Sequence, residues 1–300
     1  MIDLRTKAGG IELDTPLILA SGILDENGYT MRRILEAGAA AVVTKSIGVD
    51  ERNGYTSPVV FEGENYIINA MGLPNPGIEE YGGEIKIAEE AGKPVIGSIF
   101  AADAPTFLKL AGEMVDYGVS AIELNLSCPH VKGFGTEVGS DPTLVKDIVE
   151  TLKASIDIPI WSKLSPNVTD IVEIGSAASE SDALVLINTV RAMAIDINAR
   201  MPVLTNVYGG LSGNAIKPVG LRLVYEIKKE LDCNIIGVGG IGNASDAIEY
   251  IMAGASAVQI GTALWRKGRG IFDEINQGIS GFMKDSGIGS IGEMIGVAVQ

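Results

Sequence analysis

Three neighbouring stretches near the middle of the chain decide the fold: AIELNL at 121–126, DPTLVKDIVETL at 141–152 and PIWSKL at 159–164. The first and third are short and mostly apolar, which is typical of parallel strands covered on both faces. The middle stretch opens with Asp141-Pro142, a helix N-cap followed by proline at the first helical position. Its apolar residues then recur with the period of a helix. The pattern predicts a strand, a helix and a second, parallel strand.

The same alternation runs through the whole chain. Eight short apolar runs precede eight helical patterns, and eight is the number of strands that closes a TIM barrel. We therefore predict one (β/α)₈ barrel domain over residues 1–300. The predicted strands are Pro16–Ala20, Ala40–Lys45, Pro94–Ile99, Ala121–Leu126, Pro159–Leu164, Ala183–Asn188, Asn234–Val238 and Ala257–Gly261.

Helical periodicity fills most of the intervening segments. Gly118 is the expected residue just after one helix. Two connections, Ser46–Pro76 and Val190–Lys217, are too long for plain strand-to-helix loops, and we expect them over the active-site face. Five further helices are predicted at Tyr29–Ala37, Ile78–Ala91, Val168–Ala178, Ala244–Ala253 and Trp265–Met283, and another after Pro218.

Composition narrows the function classes. The formal net charge is −15 and the basic residues are scattered, which disfavours a nucleic acid partner. No apolar run is long enough for a membrane span, and the N-terminus has no signal-peptide pattern, so we expect a cytoplasmic protein. Two cysteines and one histidine cannot build an iron–sulfur cluster, a typical zinc site or a multi-histidine metal site.

The residues at the strand ends carry the chemistry, because the active site of this fold lies at that face. Small polar groups, amides, two lysines and a cysteine converge there. No Asp or Glu is among them, which disfavours a divalent metal or a glycosidase carboxylate pair. The strand-end residues are Ser21-Gly22, Lys45-Ser46, Ser98, Asn125 through Cys128, Lys163, Asn188-Thr189, Gly239-Gly240 and Gly261-Thr262.

Two features of this set point to a phosphorylated cofactor. Glycine pairs end the seventh and eighth strands, where the fold commonly holds a phosphate with backbone N–H groups. Lys163 is either a Schiff-base nucleophile or a fixed cation, and a fixed cation suits the electron-rich end of a reduced flavin.

Cys128 differs from Cys233, which precedes a strand and is interpreted as a small buried hydrophobe. Pro129 and a glycine-rich segment follow Cys128, a composition typical of a loop over a mouth. Such a cysteine can act as nucleophile or base. His130 is two residues away, and no catalytic role is assigned to it.

Five motifs in order resemble the class 1 dihydroorotate dehydrogenases. The resemblance covers essentially the whole chain. The motifs are Asn69–Gly77 (NAMGLPNPG), Asn125–Pro129 (NLSCP), Asn188–Met193 (NTVRAM), Gly209–Gly213 (GGLSG) and Ala215–Pro218 (AIKP). Of these, Asn188–Met193 and Ala215–Pro218 look like the 1B subclass in particular.

The resemblance implies FMN, the substrate dihydroorotate and its product orotate, with the catalytic base at Cys128. Class 2 enzymes have serine there and an added N-terminal helix, which we do not expect in this chain. The family's asparagine on the third strand corresponds to Ser98. The implied FMN positions are Ser21, Lys45, Ser46, Asn125, Lys163, Ile187, Gly213, Gly239, Gly240, Gly261 and Thr262. The implied orotate positions are Lys45, Asn69, Ala70, Met71, Gly72, Leu73, Asn125, Asn188 and Thr189.

The 1B resemblance also implies a partner. It would be a subunit with FAD and an iron–sulfur cluster that passes electrons to NAD, docked on a homodimer to make a heterotetramer.

Other activities remain open from the sequence. The chain could be another kind of FMN barrel enzyme that acts on pyrimidines, since the pyrimidine-reducing domain of dihydropyrimidine dehydrogenase has similar motifs. A Schiff-base aldolase would use Lys163, and a non-catalytic phosphate-binding barrel would leave Cys128 without a purpose. Dihydrouridine synthases need a basic surface that the net charge of −15 disfavours.

Overall fold

The computed structural model describes residues 2–126 and 136–300. In these ranges the strands are β1 (Thr6–Ala8), β2 (Ile11–Leu13), β3 (Leu17–Leu19), β4 (Ala41–Val43), β5 (Val60–Glu62), β6 (Ile67–Asn69), β7 (Val95–Ile99), β8 (Ala121–Asn125), β9 (Ile160–Leu164), β10 (Ala183–Leu186), β11 (Val190–Ala192), β12 (Ile195–Asp196), β13 (Met201–Pro202), β14 (Gly209–Ser212), β15 (Ile235–Val238) and β16 (Ala257–Ile260). The helices are α1 (Gly28–Glu36), α2 (Ile78–Glu89), α3 (Ala104–Tyr117), α4 (Thr136–Gly139), α5 (Pro142–Lys153), α6 (Ile171–Ala177), α7 (Lys217–Glu230), α8 (Ala244–Met252), α9 (Ala263–Lys267) and α10 (Ile271–Ser286).

Eight parallel strands close into a barrel in the order β3, β4, β7, β8, β9, β10, β15 and β16, with β16 returning to β3. The predicted (β/α)₈ architecture is therefore confirmed, and each predicted strand overlaps one barrel strand. The predicted unit of strand, helix and parallel strand over residues 121–164 is also confirmed, as β8, α5 and β9. Asp141 caps α5 by accepting from the N–H of Thr143 at 2.9 Å, and Gly118 ends α3 in the left-handed conformation.

Two apolar layers hold the barrel together. The larger lies between strands and helices, where residues such as Phe107, Val149 and Phe272 are fully buried. The smaller fills the barrel interior around Trp161. The β1–β2 hairpin adds Ala8 and Leu13 to this interior layer, and the indole N–H of Trp161 donates to the carbonyl of Gly9 at 2.9 Å. Gly9 has φ +51° and packs directly on the indole, so this turn needs glycine.

The two long connections are not plain loops. They supply β5, β6, β11 and β14, which form a four-stranded antiparallel sheet in the order β11-β14-β6-β5. Asn69 on β6 lies opposite Gly210 on β14. The sheet thereby joins the connections after the second and sixth barrel strands into one structure at the mouth.

The last predicted helix, Trp265–Met283, is wrong as a single element. The chain forms α9 and α10, separated by residues 268–270. Gly268 has φ +66°, a left-handed conformation that ends α9.

None of the helices in the described ranges is long and apolar enough to cross a membrane.

Candidate active site

The barrel mouth contains two adjoining cavities, with volumes of about 120 and 330 Å³. Eight residues line both cavities, so the two cavities form one continuous site. The shared residues are Ser21, Ile67, Lys163, Asn188, Thr189, Ser212, Gly261 and Thr262.

The predicted FMN positions divide between the cavities. The smaller one contains the glycine-rich strand ends and the residues beside them: Ser21, Lys163, Ile187, Gly213, Gly239, Gly240, Gly261 and Thr262. The larger one contains Lys45, Ser46 and Asn125.

The predicted orotate positions line the larger cavity, with one exception. Lys45, Asn69, Met71, Gly72, Leu73, Asn125, Asn188 and Thr189 lie there. Ala70 is instead buried in a small cluster with Ile68 and Leu204 and does not line the cavity.

Cys128, predicted as the base, and His130 lie outside the described residues. The chain reaches the mouth at Asn125 and Leu126, both buried. Gly139 packs directly on the carbonyl of Leu126, so the chain positions on either side of residues 127–135 meet at the mouth.

A line of small polar side chains crosses the mouth. Ser46 is its centre, because Asn125 donates from Nδ2 to Ser46 Oγ at 3.0 Å and Ser98 Oγ lies 2.8 Å from the same atom. Asn188 then donates from Nδ2 to Asn125 Oδ1 at 3.3 Å. These bonds fix the orientation of both amides, so each presents defined donors and acceptors to a planar ligand. Ser98 lines neither cavity and acts through Ser46.

Lys45 is held at the edge of the larger cavity. Its Nζ lies 3.1 Å from Glu26 Oε1, and its side chain is only 10% exposed. Its backbone N–H donates to the carbonyl of Asp25 at 3.1 Å. The ammonium is therefore confined near the predicted substrate amides, where it suits a carboxylate ligand.

Asp25 was missed in the sequence, since it lies past the end of a strand. The carboxylate is buried and accepts from the N–H of Gly22 at 2.5 Å. Burial raises the pKa of the Asp25 carboxyl, and the charge of Lys45 partly opposes that shift. Asp25 thereby holds the Ser21-Gly22 turn beside Lys45.

Glu123 and Gln259 were missed as well. Both are buried inside the barrel, where Glu123 Oε1 lies 3.2 Å from Lys163 Nζ and Gln259 donates from Nε2 to Glu123 Oε2 at 2.6 Å. Side chains alternate along a strand, so Glu123 shares the inward face with Asn125, and this alternation is the sequence signal that points to Glu123. An ammonium held in an ion pair is a poor nucleophile, which disfavours the Schiff-base alternative for Lys163.

Two glycines of the smaller cavity are explained by different structural reasons. Gly240 has φ +72°, and a Cβ there would stand 2.8 Å from the carbonyl oxygen of Gly213 and from the N atom of Lys217. Gly261 has no such reason, since a Cβ there would meet only the Cβ of Ala20, at an ordinary 3.6 Å. The space next to Gly261 belongs to the cavity, and a glycine here is explained by a ligand that approaches the backbone closely.

Comparison with known proteins agrees with this geometry. The family model for dihydroorotate dehydrogenase matches residues 3–283. A protein of Thermoplasma acidophilum named dihydroorotate dehydrogenase B (NAD(+)), catalytic subunit, is 62% identical over 300 residues, covering all of both chains. A protein of Methanocella arvoryzae with the same name is 48% identical over 97% of this chain and 96% of its own length.

A third relative, a protein of Methanocaldococcus jannaschii with the same name, is 46% identical over 98% of each chain. The matches span the barrel and both long connections that form the mouth. The chain therefore belongs to the dihydroorotate dehydrogenase family, flavin-dependent oxidoreductases that convert dihydroorotate to orotate in pyrimidine biosynthesis.

Proposed function

We propose that the mouth binds FMN and dihydroorotate side by side, FMN at the glycine-rich strand ends and dihydroorotate at the amide-rich half. The observation that carries this proposal is Gly261, whose missing side chain leaves room for a ligand and not for another part of the protein. The donor set also fits a flavin mononucleotide. In the described chain, the N–H groups of Gly240 and Thr262 have no backbone acceptor, which suits a phosphate.

When bound, FMN supplies the hydride acceptor for C6 of dihydroorotate. The chain provides orientation around it. Lys163 lines both cavities, so its ammonium is placed to offset negative charge at the flavin. Ser21, Ser46 and Asn125 complete the contact on the side of the larger cavity.

Dihydroorotate is a cyclic imide with a carboxylate, and the larger cavity offers a complementary set of groups. We assign the substrate carboxylate to Lys45 and the ring donors and acceptors to Asn69, Asn125 and Asn188. The side chain of Asn69 reaches the carbonyl of Gly210 at 3.5 Å, and the other two amides orient each other. Prearranged amides hold the substrate without reorganisation during the reaction.

Cys128 is the proposed general base, which takes the proton from C5 of the substrate. Support comes from the family motif and from the position of Leu126 and Gly139 at the mouth. A thiol has an unperturbed pKa near about 8.5, so the thiolate is accessible near neutral pH.

Electrons must then leave the barrel. We propose that they pass to NAD through a separate subunit with FAD and an iron–sulfur cluster, as part of a cytoplasmic heterotetramer built on a homodimer of this single-domain chain. The relatives are named NAD(+)-linked catalytic subunits. The chain has two cysteines, too few for a typical iron–sulfur cluster, and no GxGxxG motif after its first strand.

Two measurements test the proposal. Heat release from the purified protein followed by chromatography should yield one FMN per chain, whereas FAD, or no flavin after reconstitution, would refute the cofactor. Steady-state oxidation of dihydroorotate by the isolated chain should proceed with an artificial dye but not with NAD or fumarate. Robust NAD reduction by this chain alone, without iron, would refute the partner.

A further inference from the structure

A buried ion pair lies inside the barrel beneath the proposed flavin site. Lys163 Nζ is 3.2 Å from Glu123 Oε1, with side chains 7% and 0% exposed. Gln259 closes a triangle, because its Nε2 donates to Glu123 Oε2 at 2.6 Å and its Oε1 accepts from Lys163 at 3.3 Å. Every polar end of this group faces another, so the lysine is held in one position.

The strand register places this triangle as the floor of the cavity. Lys163 on β9 lies opposite Asn125 on β8, and Glu123 is one inward position further from the mouth. Lys163 and Gln259 both line the smaller cavity. Below the triangle, Ala121, Trp161 and Ala257 belong to the apolar interior layer.

Stability alone explains this arrangement poorly. A buried salt bridge gains little over an apolar replacement of similar volume, because removing two charges from water offsets most of their attraction. Lys163 is the only cation within ion-pair distance of Glu123 in residues 2–126 and 136–300. The carboxylate thus neutralises the charge of the Lys163 ammonium at the cavity floor.

We propose that Glu123 is a positioning residue that sets the reduction potential of the bound flavin through Lys163. The inference rests on the proposed binding of FMN. Reduction adds negative charge to the flavin, and an unopposed ammonium at the floor of the cavity would favour the reduced form. Glu123 fixes the ammonium and counters its field, so it lowers the reduction potential.

The test is the midpoint potential of FMN bound to the holoprotein, measured by spectroelectrochemical titration. Glu123→Gln keeps the shape of the side chain and removes its charge. We expect the equilibrium to move at least about tenfold toward reduced flavin, equivalent to about 30 mV for a two-electron couple. Ser162→Ala is the control on β9, the strand of Lys163, since Ser162 points away from the cavity and contacts Ser181 Oγ at 2.7 Å. The control should leave the potential unchanged.

Glu123→Asp provides a second variant in case the glutamine variant does not fold. It keeps the charge but withdraws the carboxylate from Lys163, so a smaller shift in the same direction is expected. Potentials equal to that of the parent in the variants that bind FMN would overturn the inference and give Glu123 a purely structural role. Absence of FMN from the parent itself would instead refute the proposed function, and this inference with it.

Discussion

The side chain of Asn188 donates from Nδ2 to Oδ1 of Asn125 across 3.3 Å, linking the fourth and sixth barrel strands at the mouth. Asn125 in turn donates to Ser46. Each amide is thus held by a neighbour on another strand, and the orientation of one depends on the other. Two of the proposed substrate contacts are therefore coupled.

Replacing Asn125 with leucine should weaken catalysis more than its own substrate contact explains. Asn125→Leu removes the acceptor for Asn188 and the donor for Ser46, two hydrogen bonds that contribute about 0.5–1.5 kcal/mol each. We expect kcat/KM to fall by roughly five- to 150-fold. Gln277→Ala, an exposed amide on α10, is the control that should retain parental kinetics. Parental kcat/KM in Asn125→Leu would contradict the assigned role.

Gly261→Val should impair FMN binding while leaving the apoprotein folded. The added side chain would enter the cavity, since it meets only Ala20 nearby. Overpacking of about 1–3 kcal/mol would weaken FMN binding roughly five- to 150-fold. Fluorescence titration measures the affinity, and thermal unfolding of the apoprotein checks the fold.

Gly281→Ala is the matched control for that substitution. Gly281 lies in α10, and a Cβ there meets nothing within 4 Å. It should bind FMN with parental affinity and be slightly more stable, since alanine favours a helix. Undiminished FMN affinity in Gly261→Val would remove the main support for the cofactor site.

The barrel strands could be predicted from sequence because buried parallel strands are short apolar runs, and Ala121–Asn125 and Ile160–Leu164 are clear cases. The antiparallel sheet at the mouth could not. Its strand Val60–Glu62 has an exposed first and last residue, and β6 pairs with β14, which lies far along the chain. Such pairing depends on the closed barrel bringing the two connections together, and the periodicity of a single segment does not predict it.

The site was predictable to the extent that it lies at strand ends. Nearly all of the positions expected to bind FMN or orotate line the two cavities. Glu123 and Gln259 were overlooked because they lie one inward position below the mouth, within apolar strands. The break between α9 and α10 was overlooked because Ile271, Phe272 and Ile275 continue an apolar stripe past the glycines that end α9.

The stability of the protein should carry a pH dependence from Asp25. Burial raises the pKa of this carboxyl in the folded state, so the folded protein binds the proton more tightly than the unfolded chain does. The contribution of Asp25 to stability is therefore greatest below the unfolded pKa of about 3.9 and is lost as pH rises through the folded pKa.

Asp25→Asn retains an oxygen for the N–H of Gly22 and cannot ionise. The free energy of unfolding of the parent, relative to this variant, should fall with rising pH across that window. Urea unfolding at a series of pH values measures the difference. Gln277→Ala, which removes no ionisable group at an exposed position on α10, should match the parent at every pH. A difference that is constant with pH for Asp25→Asn would contradict the burial argument.

Cys233 should react slowly with thiol reagents in the folded protein. Burial raises the pKa of the Cys233 thiol to about 11, so roughly one thiol in a thousand is ionised at pH 8. In Cys128→Ala, iodoacetamide should label folded protein slowly and denatured protein fast, as followed by mass spectrometry. Equally fast labelling of Cys233 in both states would contradict the assigned burial.

The central claim is that this chain oxidises dihydroorotate at a bound FMN with Cys128 as the base. Anaerobic stopped-flow mixing of the FMN-loaded protein with dihydroorotate tests it directly, by the loss of visible flavin absorbance. The parent should be bleached with one orotate formed per flavin, and more rapidly as pH rises through the thiol pKa. Cys128→Ala should retain its FMN and be bleached about 10² to 10⁴ times more slowly, while Cys233→Ala matches the parent. A parent with stoichiometric FMN that is not bleached, or a Cys128→Ala variant bleached at the parental rate, would contradict the account.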